Sequence, residues 1–245
     1  VTDWDRLFDE LYLKTYAAVQ RDEDAEPLAL GAMRLAGCEP PADILDAACG
    51  YGRHSRALAG TGYRVVGLDR SPVLLAEARR CSEGAEWPRW VQGDYRELPF
   101  AAESFDSVVN LFTSFGFFGE EGDLQVLREF RRVLRSERAL VLETMHRDLL
   151  MAIFREQDWE ALPDGAVRLE RRAFDPVGGI CEVGLTYWPK GREPVTVEYR
   201  LRVYTASELK RLAREAGFAE VEFYGDPDGG PLSRETRLIL VAKRQ

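Results

Sequence analysis

The stretch Ile44-Leu45-Asp46-Ala47-Ala48-Cys49-Gly50-Tyr51-Gly52-Arg53-His54 decides how the rest of the chain reads. Its apolar start has the character of a buried strand, its small residues make a tight turn, and a helical pattern follows from Arg53. A Gly-x-Gly turn between strand and helix leaves backbone N–H groups and a helix N-terminus facing the crevice at the strand ends. Glycines in that place let a ligand approach the main chain closely, or they simply permit a sharp strand-to-helix turn.

Outward from this turn, apolar runs at 63–68, 90–92, 105–111 and 139–144 alternate with helical spacings at 72–81 and 122–134. Strands that are apolar on both faces and separated by helices predict a parallel sheet covered on both sides. Upstream, Trp4, Leu7, Phe8, Leu11 and Tyr12 share one helical face, a second helix is expected over 25–36, and the prolines of 38–43 break the chain into a linker.

Beyond Thr144 the pattern changes. A short helix near 148–154 precedes runs of alternating polarity at 167–174, 181–188 and 195–204, separated by Asp175-Pro176-Val177-Gly178-Gly179 and Pro189-Lys190-Gly191. They predict an antiparallel meander. Thr205-Ala206-Ser207-Glu208 is a capping box, Gly217 a helix stop, and two closing strands are expected at 219–224 and 236–242.

A chain of 245 residues with 45% hydrophobic content suits one compact domain with an insertion. Its net charge of -9 repels phosphate backbones, which argues against nucleic acid as a partner. The opening Val1 to Arg6 lacks an apolar signal region, and no apolar run approaches the roughly 18 residues of a membrane span, so a soluble, cytoplasmic protein is expected. Cys38, Cys49, Cys81 and Cys181 share no C-x-x-C spacing, which predicts reduced thiols and no metal site. The sequence carries no signature of a particular oligomeric state.

Two acids stand at later strand tips. Asp69 lies about twenty residues beyond the glycines, where a carboxylate accepts both ribose hydroxyls of a nucleoside. Its competing role is to cap the helix opening at Pro72, a place that Ser71 also fits. Asp94 ends Gln92-Gly93-Asp94, positioned to accept from an adenine amine with Tyr95 or Leu98 over the ring, or to serve as a turn residue. Glycines and acids at the ends of neighbouring strands converge on one place in a doubly wound sheet.

In Asp46 to His54, Val66-Gly67-Leu68-Asp69, Gln92-Gly93-Asp94, Phe105-Asp106-Ser107-Val108-Val109-Asn110 and Arg131-Arg132-Val133-Leu134, the chain resembles the class I S-adenosylmethionine-dependent methyltransferases of small-molecule type. The resemblance implies a Rossmann-like doubly wound α/β fold of seven strands in the order 3-2-1-4-5-7-6, the last antiparallel, with the meander as a lid. It implies S-adenosyl-L-methionine as cofactor, bound by Asp46, Ala48, Gly50, Gly52, Asp69, Arg70, Asp94, Tyr95, Asn110 and Leu111. The methionine would lie near Gly50, Gly52 and Asn110, the ribose at Asp69 and the adenine at Asp94. Ala48 replaces the first glycine of the family pattern, and Arg135 to Arg138 replaces its Pro-Gly-Gly turn. A nicotinamide-dinucleotide oxidoreductase would use the same turn, but its third fingerprint glycine is Ser55 here. A regulatory protein that binds the cofactor without transfer is the remaining alternative.

The expected organisation is a helical cover over 1–37, a core of 38–147 and 205–245, and a helix with antiparallel lid over 148–204. The acceptor is read as a small molecule, methylated on nitrogen rather than oxygen, because an amine needs little more than deprotonation to its neutral form, whereas an alcohol generally needs a base. Tyr12, Tyr16, Phe112, Phe115, Tyr199 and Tyr204 are the substrate candidates, with Phe117, Phe118, Tyr187, Trp188 and Arg200 as further contacts. His146, just past the fifth strand, is the candidate base, or else a cap for the following helix.

Overall fold

A computed structural model describes residues 4–20 and 22–245. Val1 to Asp3 of the charged opening segment, Arg21, and the side chain of Trp4 expected on the first helical face lie outside the described residues. The chain opens with α1 (Trp4–Leu7), α2 (Glu10–Thr15) and α3 (Ala25–Ala36). The single helix expected at the start is broken because Asp9 leaves helical geometry and its carboxylate accepts the Leu11 N–H at 2.7 Å, capping α2.

The core then alternates β1 (Asp43–Ala47), α4 (Arg53–Gly60), β2 (Arg64–Asp69), α5 (Pro72–Cys81), β3 (Arg89–Gln92), β4 (Phe105–Asn110), α6 (Gly119–Val133) and β5 (Leu134–Thr144). After α7 (Arg147–Ile153) come β6 (Gln157–Ala161), β7 (Val167–Asp175), β8 (Ile180–Trp188) and β9 (Val195–Arg202). The chain closes with α8 (Ala206–Glu215), β10 (Glu220–Tyr224) and β11 (Leu238–Lys243).

The main sheet has seven strands in the order β10-β11-β5-β4-β1-β2-β3, with β11 antiparallel to β5. Once the strands of the insertion are passed over, this is the order that the resemblance implied. Period-two alternation explains why it is buried on both sides. Leu45, Val108, Leu140, Leu142 and Leu240 enter one core with α6 and α8, while Ile44, Val109, Val141 and Val241 enter the other with α3 and α4.

The second sheet is antiparallel, in the order β6-β7-β8-β9. Its β7–β8 turn is set by Asp175, whose carboxylate accepts from the N–H groups of Val177 and Gly178. The sequence reading missed β6, an edge strand whose Gln157-Asp158-Trp159-Glu160-Ala161 has little of the apolar alternation that marks a half-buried strand. Leu185 and Val197 pack on Leu7 and Leu11, so this sheet holds the N-terminal helices, and Cys181 and Val183 pack toward Met145, Leu150 and Phe154. No helix of the described residues is long and apolar enough to cross a membrane.

Candidate functional site

The turn after β1 places Ala48, Gly50 and Gly52 in the left-handed region, with φ of 58°, 57° and 79°. Two of these positions have separate reasons to lack a side chain. A Cβ on Gly50 would meet no protein atom within 4 Å, so that face of the turn is open, whereas one on Gly52 would collide with the Trp90 indole. Ala48 keeps the same backbone sign with a methyl group in place, a strained choice for an L-residue.

Asp69 fixes this turn to the tip of β2. Its carboxylate accepts the Gly50 N–H at 2.8 Å on one oxygen and the Ser71 N–H at 2.8 Å on the other. Ser71 caps α5 through its own hydroxyl, which accepts from Leu74, so the capping place for which Asp69 and Ser71 competed is taken by Ser71. Burial raises the Asp69 pKa, against the lowering effect of those backbone N–H groups.

Around the turn lies a cavity of about 440 Å³, of the size small-molecule sites occupy. It is lined by Ala48, Gly50, Asp69, Arg70, Asp94 and Tyr95 from the strand tips, and closed by Phe8, Tyr12, Phe117 and Phe118. Asp94 is gripped by Arg96, whose backbone N–H, Nε and Nη2 all donate to it. Burial would raise its pKa, but the hydrogen bonds and charge of Arg96 outweigh that and hold it below the usual carboxylate range. Tyr95 donates from its hydroxyl to the Ser114 carbonyl at 2.8 Å and sets its ring at a tilt to Phe118, with centroids 5.3 Å apart. The lining therefore combines acceptor carboxylates at Asp69 and Asp94, an aromatic wall and a backbone turn open to close approach. Those are the features that an adenosine with a charged tail needs.

Four residues expected at the cofactor do not line this cavity. Asp46 is buried behind the turn, accepts the Ser55 hydroxyl at 2.5 Å, and has its pKa pushed by burial to about 7. Gly52 faces Trp90. Asn110 donates to the Ala47 carbonyl at 2.8 Å, fastening β4 to β1, and Leu111 points into the core beside α3 and α4. These residues shape the turn from behind.

A second cavity, of about 430 Å³, adjoins the first and shares Phe8, Tyr12, Ser114 and Phe117 with it. Tyr16, Phe112 and Tyr199 line it as well. Sequence reading missed its charged wall of Arg168, Glu170, Arg172 and Arg237. The available signal was the i, i+2, i+4 spacing of Arg168, Glu170 and Arg172, which puts all three on one face of β7. Glu170, 5% exposed, accepts the Tyr16 hydroxyl at 2.9 Å and an Arg172 Nη2 hydrogen bond, and Tyr16 meets the Tyr199 hydroxyl at 3.1 Å. Burial is the main cause that pushes the phenols of Tyr16 and Tyr199 up, so both remain hydrogen-bonding hydroxyls.

In the lining of the second cavity, Phe112 and Thr113 are consecutive left-handed residues, with φ of 60° and 59°. Glu143 holds them there: its carboxylate accepts the Phe112 N–H at 2.7 Å, its carbonyl accepts the Thr113 N–H at 3.2 Å, and Arg237 bonds both Glu143 and the Thr113 hydroxyl.

Other acceptor candidates sit elsewhere. Phe115 and Tyr204 are fully buried in the core, with the Tyr204 hydroxyl donating to Asp123 at 2.7 Å. Tyr187 donates to Asp164 at 2.6 Å, Trp188 is exposed on the outer face of the second sheet, and Arg200 pairs there with Glu182. His146 lines neither cavity: it occupies the cap position of α7, buried, with Nε2 at 3.6 Å from Asp148. Its backbone place next to β5 was legible, but the inward turn of the ring was not. His54 is also buried, and burial with the neighbouring Arg53 charge lowers its pKa to about 3.

Residues 44–137 match the family model described as a methyltransferase domain. A glycine/sarcosine N-methyltransferase of Aphanothece halophytica is 29% identical over 189 residues, covering 75% of this chain and 68% of the relative. A glycine/sarcosine/dimethylglycine N-methyltransferase of Actinopolyspora halophila is 28% identical over 92% of this chain, which spans 38% of that relative's length. Among solved structures, the CcbJ methyltransferase from Streptomyces caelestis superposes with a TM-score of 0.82 at 22% identity, covering 97% of both chains. CalS10, an amino pentose methyltransferase from Micromonospora echinaspora, superposes with a TM-score of 0.72 at 21% identity, covering 95% of this chain and 96% of that one.

Proposed function

We infer that this chain is a class I S-adenosylmethionine-dependent methyltransferase that moves the methyl group to a nitrogen of a small polar acceptor held in the second cavity. The observation that carries this reading is the wall of Phe8, Tyr12, Ser114 and Phe117 common to both cavities, which sets a donor chamber and an acceptor chamber side by side.

When bound, S-adenosyl-L-methionine supplies an activated, positively charged methyl group. The protein's task is then to position and to dehydrate. Asp69 and Asp94 would take the nucleoside, with Gly50 and Ala48 beside its tail and Tyr95 and Phe118 against its ring. Holding donor and nucleophile in line can lower a barrier by about 7 to 11 kcal/mol without any proton transfer by the protein. The β6–β9 sheet with α1 and α2 serves as the cover that keeps water out of both chambers.

Nitrogen is favoured over oxygen by what lines the acceptor chamber. Among the described residues no histidine reaches it, and its one carboxylate, Glu170, is already engaged by Tyr16 and Arg172. An aliphatic alcohol needs a base, whereas an amine can enter with its lone pair free. The names of the relatives, which act on glycine, sarcosine and an amino pentose, support the same choice. The test is incubation with methyl-labelled cofactor and a panel of amino acids, amino sugars, alcohols and phenols, followed by mass spectrometry. An N-methylated product is expected; products methylated only on oxygen would remove the nitrogen assignment.

A further inference from the structure

The chain leaves β4 through Phe112 and Thr113, both in the left-handed region that favours glycine. A turn that only had to change direction could use glycine there without strain. A phenylalanine and a threonine in that conformation point to side chains that are needed where the strained backbone puts them. Phe112 is large and apolar yet 39% exposed, and it lines the acceptor chamber together with Thr113 and Ser114. Ser114 also borders the donor chamber, where its carbonyl accepts the Tyr95 hydroxyl.

The sheet order explains what imposes the strain. β5 runs between β4 and β11, so Glu143 near its end stands beside both the chain leaving β4 and the chain entering β11. Glu143 is 2% exposed and lines neither chamber. Its carboxylate takes the Phe112 N–H from one neighbour and the Arg237 Nε–H from the other, while Arg237 Nη2 donates to the Thr113 hydroxyl. Arg237 Cζ also lies 5.8 Å from the Phe112 ring centroid, which closes a circuit of contacts around the two strained residues. A carboxylate facing the planar fork of a guanidinium fixes direction as well as distance, which a single amide bond would not.

We propose that Glu143 and Arg237 are a positioning pair for methyl transfer: by holding Phe112 and Thr113 left-handed they set the wall against which the acceptor amine is aimed at the donor. The proposal rests on the two-chamber reading above. The pair acts on the geometry of transfer and not on cofactor affinity, because neither residue lines the donor chamber. In-line transfer is sensitive to such a device, since a misplacement of about 1 Å can cost about 100-fold in rate.

The experiment pairs calorimetry of S-adenosylhomocysteine with steady-state kinetics on the panel amine that wild type methylates fastest. Glu143→Gln keeps the shape and an acceptor for the Phe112 N–H but removes the charge that Arg237 meets; kcat should fall about 10- to 100-fold while S-adenosylhomocysteine affinity stays within about twofold. Adding Thr113→Gly, which adopts the left-handed conformation without strain, should restore kcat at least about threefold over Glu143→Gln alone. Should Glu143→Gln fail to fold, Arg237→Lys, at the rim of the chamber, carries the test: it keeps the charge but loses the fork, and kcat should fall in the same direction. A kcat within twofold of wild type in the folded variants would overturn the proposal. So would a loss of kcat matched by an equal loss of cofactor affinity, which makes the pair merely structural, and so would a fall that glycine at 113 does not relieve. Wild type that binds S-adenosylhomocysteine but methylates no panel amine would defeat the acceptor reading, and the proposal with it.

Discussion

The donor chamber is assembled from strand tips and held by backbone groups, whereas the acceptor chamber is walled by side chains that reach across the sequence. Gly50 and Ser71 offer main-chain N–H groups to Asp69. Tyr16, by contrast, meets Glu170 and Tyr199 at sequence separations of 154 and 183 residues. The difference teaches where specificity resides. A turn fixed by main-chain geometry keeps binding the same nucleoside while side chains around it change. A wall made of long-range side-chain pairs is rebuilt by a few substitutions, which suits the variable half of a two-substrate site.

The sharpest way to break this comparison is to disturb the acceptor wall and look for an effect at the donor. Glu170→Ala strands Arg172 and Tyr16 in a largely buried setting, with an expected loss of about 3 kcal/mol in stability by urea unfolding. S-adenosylhomocysteine affinity of the folded variant should be unchanged, since Glu170 lines only the second cavity. A matching loss of cofactor affinity would mean that the two chambers are energetically one. The reverse experiment is Asp69→Ala, which removes the acceptor for two amides and the expected ribose contact. It should cost about 1.5 to 3 kcal/mol of cofactor affinity by calorimetry.

A gentler cut sharpens the comparison further. Tyr16→Phe removes one hydroxyl that meets both Glu170 and Tyr199, for about 1 kcal/mol of stability. Acceptor KM should rise while cofactor affinity stays put, and steady-state kinetics with calorimetry separate the two. The rear of the donor turn is probed instead through the pH dependence set by Asp46. Its pKa of about 7 in the fold lies above the ordinary 3.8, so the native state holds that proton longer than the unfolded chain. Stability from this group is therefore complete below about pH 4 and is lost as pH rises toward 7. His54, lowered to about 3, acts with the opposite sign, losing stability as pH falls below 6.5. The wild type minus Asp46→Asn difference in unfolding free energy should shrink on going from pH 4 to 7, and a difference flat with pH would contradict the burial of an acid there.

The same contrast explains what was legible in the sequence. The parallel sheet announced itself because Ile44-Leu45, Val65 to Leu68 and Val108-Val109 are apolar on both faces and their strand ends are forced together by topology. Asp69 and Asp94 could be placed for that reason alone. Asn110 and Leu111 do not line the first cavity because a strand end presents alternate residues to opposite sides, and the hydrogen bond from the Asn110 amide to the Ala47 carbonyl turns that side chain sideways. In the insertion, alternation identified strands but not which face looked inward. Tyr204, expected at the acceptor, is buried against Asp123, while Glu170, which drew no expectation, is buried in the wall of the second cavity. Partners so distant in sequence as Tyr16 and Glu170 leave no local pattern to read.

One further consequence concerns the roof. Phe8 and Tyr12 belong to both chambers, and the segment that carries them is fastened to the second sheet through Leu7, Leu11 and Tyr16. The two chambers thus share one roof, and any displacement of that segment would open both at once.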